Sequence, residues 1–122
     1  MRALTIVAAA LTMQGCGLLD TDLVCTAQYV YAVTVEVQDA LTGGPPGSTP
    51  TGTLTDGQYR ETMESYGGQF LQGGGERPGT YDVEVRAEGY RPWRVEGVEA
   101  GHDGCHVESI HLVAEMVAPT AP

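Results

Sequence analysis

The chain has 122 residues, with 16 acidic side chains against 6 basic ones and a formal charge of −10. This length suits a single domain, and the negative field repels nucleic-acid phosphates and anionic lipid headgroups, so no nucleic acid is expected as a partner. All six basic residues are Arg, which excludes a Lys Schiff base and a P-loop Lys.

Arg2 precedes an apolar run, residues 3–13, broken only by Thr5 and Thr12. The run is far shorter than the about 20 residues that a hydrocarbon core requires. A basic start, a short apolar stretch and small residues behind it predict a secretory signal peptide over residues 1–15. The stretch ends in Met13-Gln14-Gly15-Cys16, which resembles the lipobox of bacterial lipoproteins, with Met13 where Leu is commonest. The resemblance implies cleavage before Cys16 and a lipidated thiol there. The alternative is an ordinary signal peptide with Cys16 at its boundary.

One acyl chain holds weakly, at about 0.8 kcal/mol per buried methylene. The two or three chains implied on Cys16 give near-permanent attachment. Gly17, rather than Asp, follows the Cys. In lipoproteins of this kind that implies the outer membrane if the cell is Gram-negative. Cleavage leaves five Arg against 16 acids, a mature charge of −11. The expectation is a cell-envelope protein with a lipidated tether over residues 16–27.

With Cys16 assigned to lipid, Cys25 and Cys105 remain. An even pair in an exported chain predicts one disulfide. Closing a loop of about 80 residues contributes roughly 4.5 kcal/mol in the chain-entropy account. A metal-binding or redox thiol pair is the alternative, but the sequence has no CxxC.

The body is expected over residues 28–116. In residues 29–38, Tyr29, Tyr31, Val33, Val35 and Val37 alternate with polar positions, predicting a half-buried strand. Residues 39–52 hold Gly43-Gly44-Pro45-Pro46-Gly47 and Pro50, and so form a loop. A short strand over 51–55 ends at Asp56-Gly57. Residues 58–65 are mixed and charged. Another short strand over 67–72 is expected to stop at Gly73-Gly74-Gly75, and Glu76-Arg77-Pro78-Gly79 is a turn.

Residues 80–88 alternate most clearly. Tyr81, Val83, Val85 and Ala87 face one way, and Asp82, Glu84, Arg86 and Glu88 the other, as a solvated face. Gly89-Tyr90-Arg91-Pro92 turns the chain into a strand over 93–98, with Trp93 and Val95 inward. A tight turn at Gly101-His102-Asp103-Gly104 leads to a last strand over 105–115, carrying Val107, Ile110, Leu112 and Val113. Residues 117–122 read as a disordered tail. Short strands at turn spacing, with no helical stripe, predict an all-β antiparallel sandwich.

Two patterns then stand out. Val33-x-Val35-x-Val37 leads into Asp39-Ala40-x-Thr42-Gly43-x-Pro45, and Gly79-x-Tyr81-x-Val83-x-Val85-x-Ala87-x-Gly89-Tyr90 follows. Together they resemble the carboxypeptidase regulatory-like domain, from about Tyr29 to Glu115. The resemblance implies a seven-strand, antiparallel, Greek-key β-sandwich of transthyretin (prealbumin) type, acting as a non-catalytic accessory or adhesion module. Transthyretin relatives that hydrolyse a purine-breakdown product carry a C-terminal Tyr-Arg-Gly-Ser. This chain ends Ala118-Pro-Thr-Ala-Pro122, so that activity is not expected.

Chemistry-bearing residues are few. His102, Asp103 and His106 could hold a borderline metal. Strand alternation turns His111 away from His106, however, and surface histidines without metal are the simpler expectation. Asp39 and Asp56 flank turns, where capping is the commoner use than Ca²⁺ ligation. Tyr90, Arg91 and Trp93 form an aromatic–basic corner that could contact a sugar or peptide if exposed, although burial of Trp93 against the core is the simpler expectation. No Gly-x-Ser-x-Gly and no nucleophile–base pair is visible. The expectation is therefore a non-catalytic envelope lipoprotein, without cofactor, that meets envelope proteins or cell-surface polymers. A carbohydrate-binding module and a periplasmic metal-binding protein are the alternatives.

Overall fold

A computed structural model describes residues 24–120. The expected signal peptide and Cys16 lie outside the described residues. Eight strands follow one another: β1 (Tyr31–Asp39), β2 (Thr51–Asp56), β3 (Tyr59–Thr62), β4 (Glu64–Tyr66), β5 (Phe70–Gly75), β6 (Gly79–Arg86), β7 (Trp93–Ala100) and β8 (Ile110–Met116). They form two four-stranded sheets, ordered β4-β5-β1-β8 and β3-β2-β6-β7. All pairings are antiparallel except β1 with β8, which run parallel. The all-β expectation holds. The described residues differ from the expected count and direction in having eight strands and one parallel pair.

Alternation builds the core between the sheets. Val33, Val35 and Val37 of β1, Leu71 of β5, and Ala114 and Met116 of β8 come from one sheet. Leu54 of β2, Tyr81, Val83 and Val85 of β6, and Val98 and Ala100 of β7 come from the other. Each side chain of this size contributes about 1.5–3 kcal/mol on leaving water, so a period-two pattern suffices to bring the sheets face to face.

Three departures from simple alternation have local causes. First, Gly73-Gly74-Gly75 does not end β5 but belongs to it. A Cβ on Gly73 would lie 2.8 Å from Leu54 Cδ1, and one on Gly74 would lie 2.8 Å from Ala32 Cβ. The strand passes so close to the core that only glycine fits. Ala32 and Gly74 stand between the pairs Tyr31↔Gly75 and Val33↔Gly73. Ala32 is buried, while Tyr31 leaves the core and donates its hydroxyl to Glu64. Tyr29 precedes the strand and is largely exposed.

Second, the β6–β7 register shifts between Tyr81 and Val83, opposite Gly97, which has φ +69°. The extra residue carries the inward phase of Trp93 and Val95 over to Val98 and Ala100. Third, the last strand starts at Ile110 rather than Cys105. Asp103 Oδ1 accepts the amides of Cys105 and His106, and Asp103 N bonds His106 O, which closes a turn where a strand was expected. From Ile110 on, the strand's phase puts Ala114 and Met116 in the core and leaves Val113 facing out, half-exposed.

The registers define two ends. At the entry end lie the start of β1, the β2–β3 and β5–β6 turns, and residues 101–108. At the far end lie residues 40–50, the β6–β7 turn and the end of β8.

Candidate functional site: the latch at the entry end and the far corner

The entry end closes around the disulfide Cys25–Cys105, with Cα atoms 5.2 Å apart, as the cysteine count predicts. It fastens the segment leading into β1 to the loop before β8. Beside it, Thr26 Oγ1 lies 3.1 Å from His106 Nε2, and His106 Nδ1 lies 2.8 Å from Glu76 Oε1. Glu76 also accepts the Val30 amide at 2.9 Å, while its own amide donates to Val30 O. Glu76 thereby joins the β5–β6 turn to both other segments.

Thr26 and Glu76 were not legible as partners of His106. They are 80 and 30 residues away from it in sequence, and no local pattern marks them. The order hydroxyl, imidazole, carboxylate is that of a nucleophilic relay. The Val30 and Val107 amides also donate to Glu76. Together these bonds clamp three distant segments at the entry end.

The remaining predicted ligands do not converge. His102 Nδ1 accepts the Gly104 amide, Asp103 is occupied in its turn, and His111 lies on β8. Among the described residues, no three His, Cys, Asp or Glu side chains gather as a metal would need.

The far corner is organised by Tyr90. Its hydroxyl donates to Asp39 Oδ2 at 2.7 Å and accepts the Gly47 amide at 3.1 Å. Asp39 Oδ1 accepts the amides of Leu41 and Thr42, so it caps the turn after β1 as expected. Arg91 donates its amide to Val117 O and its guanidinium to Thr120 Oγ1, holding the described part of the C-terminal segment. Trp93 is half-buried and packs on the core margin. With Arg91, Pro92, Glu115 and Val117 it lines an open groove. Of the expected contact trio, Tyr90 is therefore engaged in tying loops together, and Arg91 and Trp93 border the groove.

Asp56, the other turn acid, pairs with Arg77 at 3.0 Å. Arg77 also donates to the hydroxyl of buried Tyr81 and lies over the Tyr59 ring at 3.8 Å.

Several carboxyls sit below their ordinary pKa. The Tyr90 hydroxyl, then the Thr42 and Leu41 amides, lower Asp39. The His106 and Cys105 amides lower Asp103. Burial acts to raise Glu76, but the hydrogen bonds from His106, Val30 and Val107 outweigh it and the net shift is down. For each, the folded pKa lies below the unfolded one, so the unfolded state binds more protons and stability rises with pH across that window. Full stabilisation is present above the ordinary carboxylate range, about 4, and is lost as pH falls through the lowered folded values. Thermal melts should be flat above about pH 5 and fall steeply below it. Asp39→Asn with Asp103→Asn should lower the plateau and flatten that acid limb. An unchanged limb would refute the assignment.

No protein-family model matches this chain, and no curated protein is similar to it in sequence.

Proposed function

We propose that the chain is a non-catalytic lipoprotein of the cell envelope whose β-sandwich serves as a structural or protein-interaction module. The observation that carries this reading is the Cys25–Cys105 disulfide. It is compatible with an oxidising, extracytoplasmic location, and it secures to the body the segment that follows the lipobox-like Cys16. Eight residues separate Cys16 from Cys25, a reach of about 30 Å when fully extended. A lipidated Cys16 would hold the entry end near the bilayer and turn the far end, with Arg91 and Trp93, towards envelope partners.

The finer fold reading is a carboxypeptidase regulatory-like sandwich of transthyretin type with Greek-key connections. The Tyr90–Asp39 hydrogen bond supports it, because it joins the two halves of the motif that suggested the resemblance.

The test is fractionation. Cys16→Ser should move the protein from the membrane fraction to the soluble fraction while leaving the body folded. Membrane partitioning equal to that of the parent would contradict the anchor.

A further inference from the structure

β8 is an edge strand with an unusual pattern of free groups. Among the described residues it pairs with β1 on one side only. Met116 O accepts the Ala40 amide at 2.9 Å, so Met116 turns its backbone groups towards β1. In a ladder, successive residues turn these groups to opposite sides. Ile110, Leu112 and Ala114 therefore face β1, and His111, Val113 and Glu115 present N–H and C=O to the outer edge. Val117 shares their phase, and its carbonyl is taken by the Arg91 amide at 2.8 Å. Arg91 thus ends the free run, with Trp93 in the groove beside Glu115.

The free run has no Pro, no Lys and no bulge, and its one charged residue, Glu115, has a complementary partner in His111. It is also complementary to itself. Two copies aligned antiparallel about Val113 place Val113 against Val113 and His111 against Glu115 of the other copy, twice. All three pairs are of the hydrogen-bonded type, each exchanging two backbone bonds. An imidazole meets a carboxylate at both ends, and the half-exposed valines (51% each) meet at the dyad.

We infer that the outer edge of β8 is a self-association site, where a second copy of this chain adds its own β8 antiparallel in the Val113-centred register. The two β4-β5-β1-β8 sheets then run on as one. A pairing of this length buries less than the about 1,600 Å² of a standard interface, so the association is weak. The charge of −10 on each copy opposes it. Salt at about 0.15 M screens that repulsion beyond roughly 8 Å, so the test is run there.

The test is site-directed crosslinking of the full chain. In the proposed register the Val113 Cα atoms lie about 5.5 Å apart, within disulfide range. His111 and its own copy are about 14 Å apart, beyond it. Under a mild oxidant, V113C should form crosslinked dimer about tenfold more than H111C alone, E115C alone or the unsubstituted chain, which reports any background from Cys16. A mixture of H111C and E115C chains should also crosslink. V113C yields no greater than those of the single controls would overturn the inference. So would crosslinking that is equal at all three positions. Should V113C not fold, sedimentation equilibrium of the unsubstituted chain decides. An average mass that rises with concentration, and that Val113→Asp abolishes, supports the site; a monomer mass at every concentration overturns it.

Discussion

Cys105→Ser should lower the stability of the body by about 4.5 kcal/mol, the chain-entropy value for a loop of this length. The bridge spans a sequence separation of 80, nearly the whole body. Few other single changes free so much of the unfolded chain. Whole domains of this size are stable by only 5–15 kcal/mol or so. With about 4–8 °C lost per kcal/mol, the melting temperature should drop by roughly 20 °C or more. Cys25→Ser should give the same loss, and the double variant no more than either alone, because all three remove one covalent bond. A melt compared with and without reductant provides the control: reductant should lower the parent curve and leave the Ser variants in place. A drop of only a few degrees would mean that the Glu76–His106–Thr26 clamp holds the entry end by itself.

Gly74→Val should cost about 4 kcal/mol, from two sources. The residue sits at φ +70°, where a β-branched side chain carries about 1–3 kcal/mol of backbone strain. Its Cβ would also lie 2.8 Å from Ala32 Cβ and 3.0 Å from Tyr81 Oη, and overpacking of this kind costs about 1–3 kcal/mol more. Neither neighbour can give way easily. Ala32 is fully buried backbone-proximal carbon, and the Tyr81 hydroxyl is held by Arg77. Gly43→Ala separates the two sources. Its φ is +73°, yet nothing lies within 4 Å of an added Cβ, so it should cost only about 1 kcal/mol. Denaturant titration of both variants measures the difference. Equal losses would show that strain alone, and not the close approach of β5 to the core, governs this strand.

The pair of glycine results explains why one sequence reading failed. Three consecutive glycines normally signal a break, and from the sequence they mark the end of a strand. In the fold they are the condition for β5 to continue, because the surfaces beneath them come from Ala32, Leu54, Met63 and Tyr81 on other elements. The same holds for the last strand. From the sequence, Val107, Ile110, Leu112 and Val113 alternate only imperfectly; in the fold Val107 bridges to His102, the strand begins afresh at Ile110, and its phase turns Ala114 and Met116 inward and Val113 outward. By contrast, the inward set Tyr81, Val83, Val85 was legible directly, since β6 itself alternates without a break and the register shift opposite it is taken up by β7.

The candidate sites divide in the same way. The disulfide was readable because cysteines are scarce and, with Cys16 expected to carry lipid, the two that remain form a pair. The clamp around it was not, because Thr26, Glu76 and His106 meet only after three distant segments reach one end of the sandwich. Tyr90 was legible as part of an aromatic–basic corner, but the engagement of its hydroxyl with Asp39, 51 residues earlier, was not.

From its residues alone this chain declares an all-β body, the alternating faces of its strands, its proline- and glycine-rich loops and its pair of bridging cysteines. These are properties of neighbours in sequence, written by backbone geometry and side-chain period. Only the tertiary structure decides which strands lie side by side: β8 parallel to β1, its outer edge open, and β5 running on through its glycines. A period of two tells each strand which face to bury and says nothing about which strand will flank it, because pairing partners are chosen by contacts made across the whole chain.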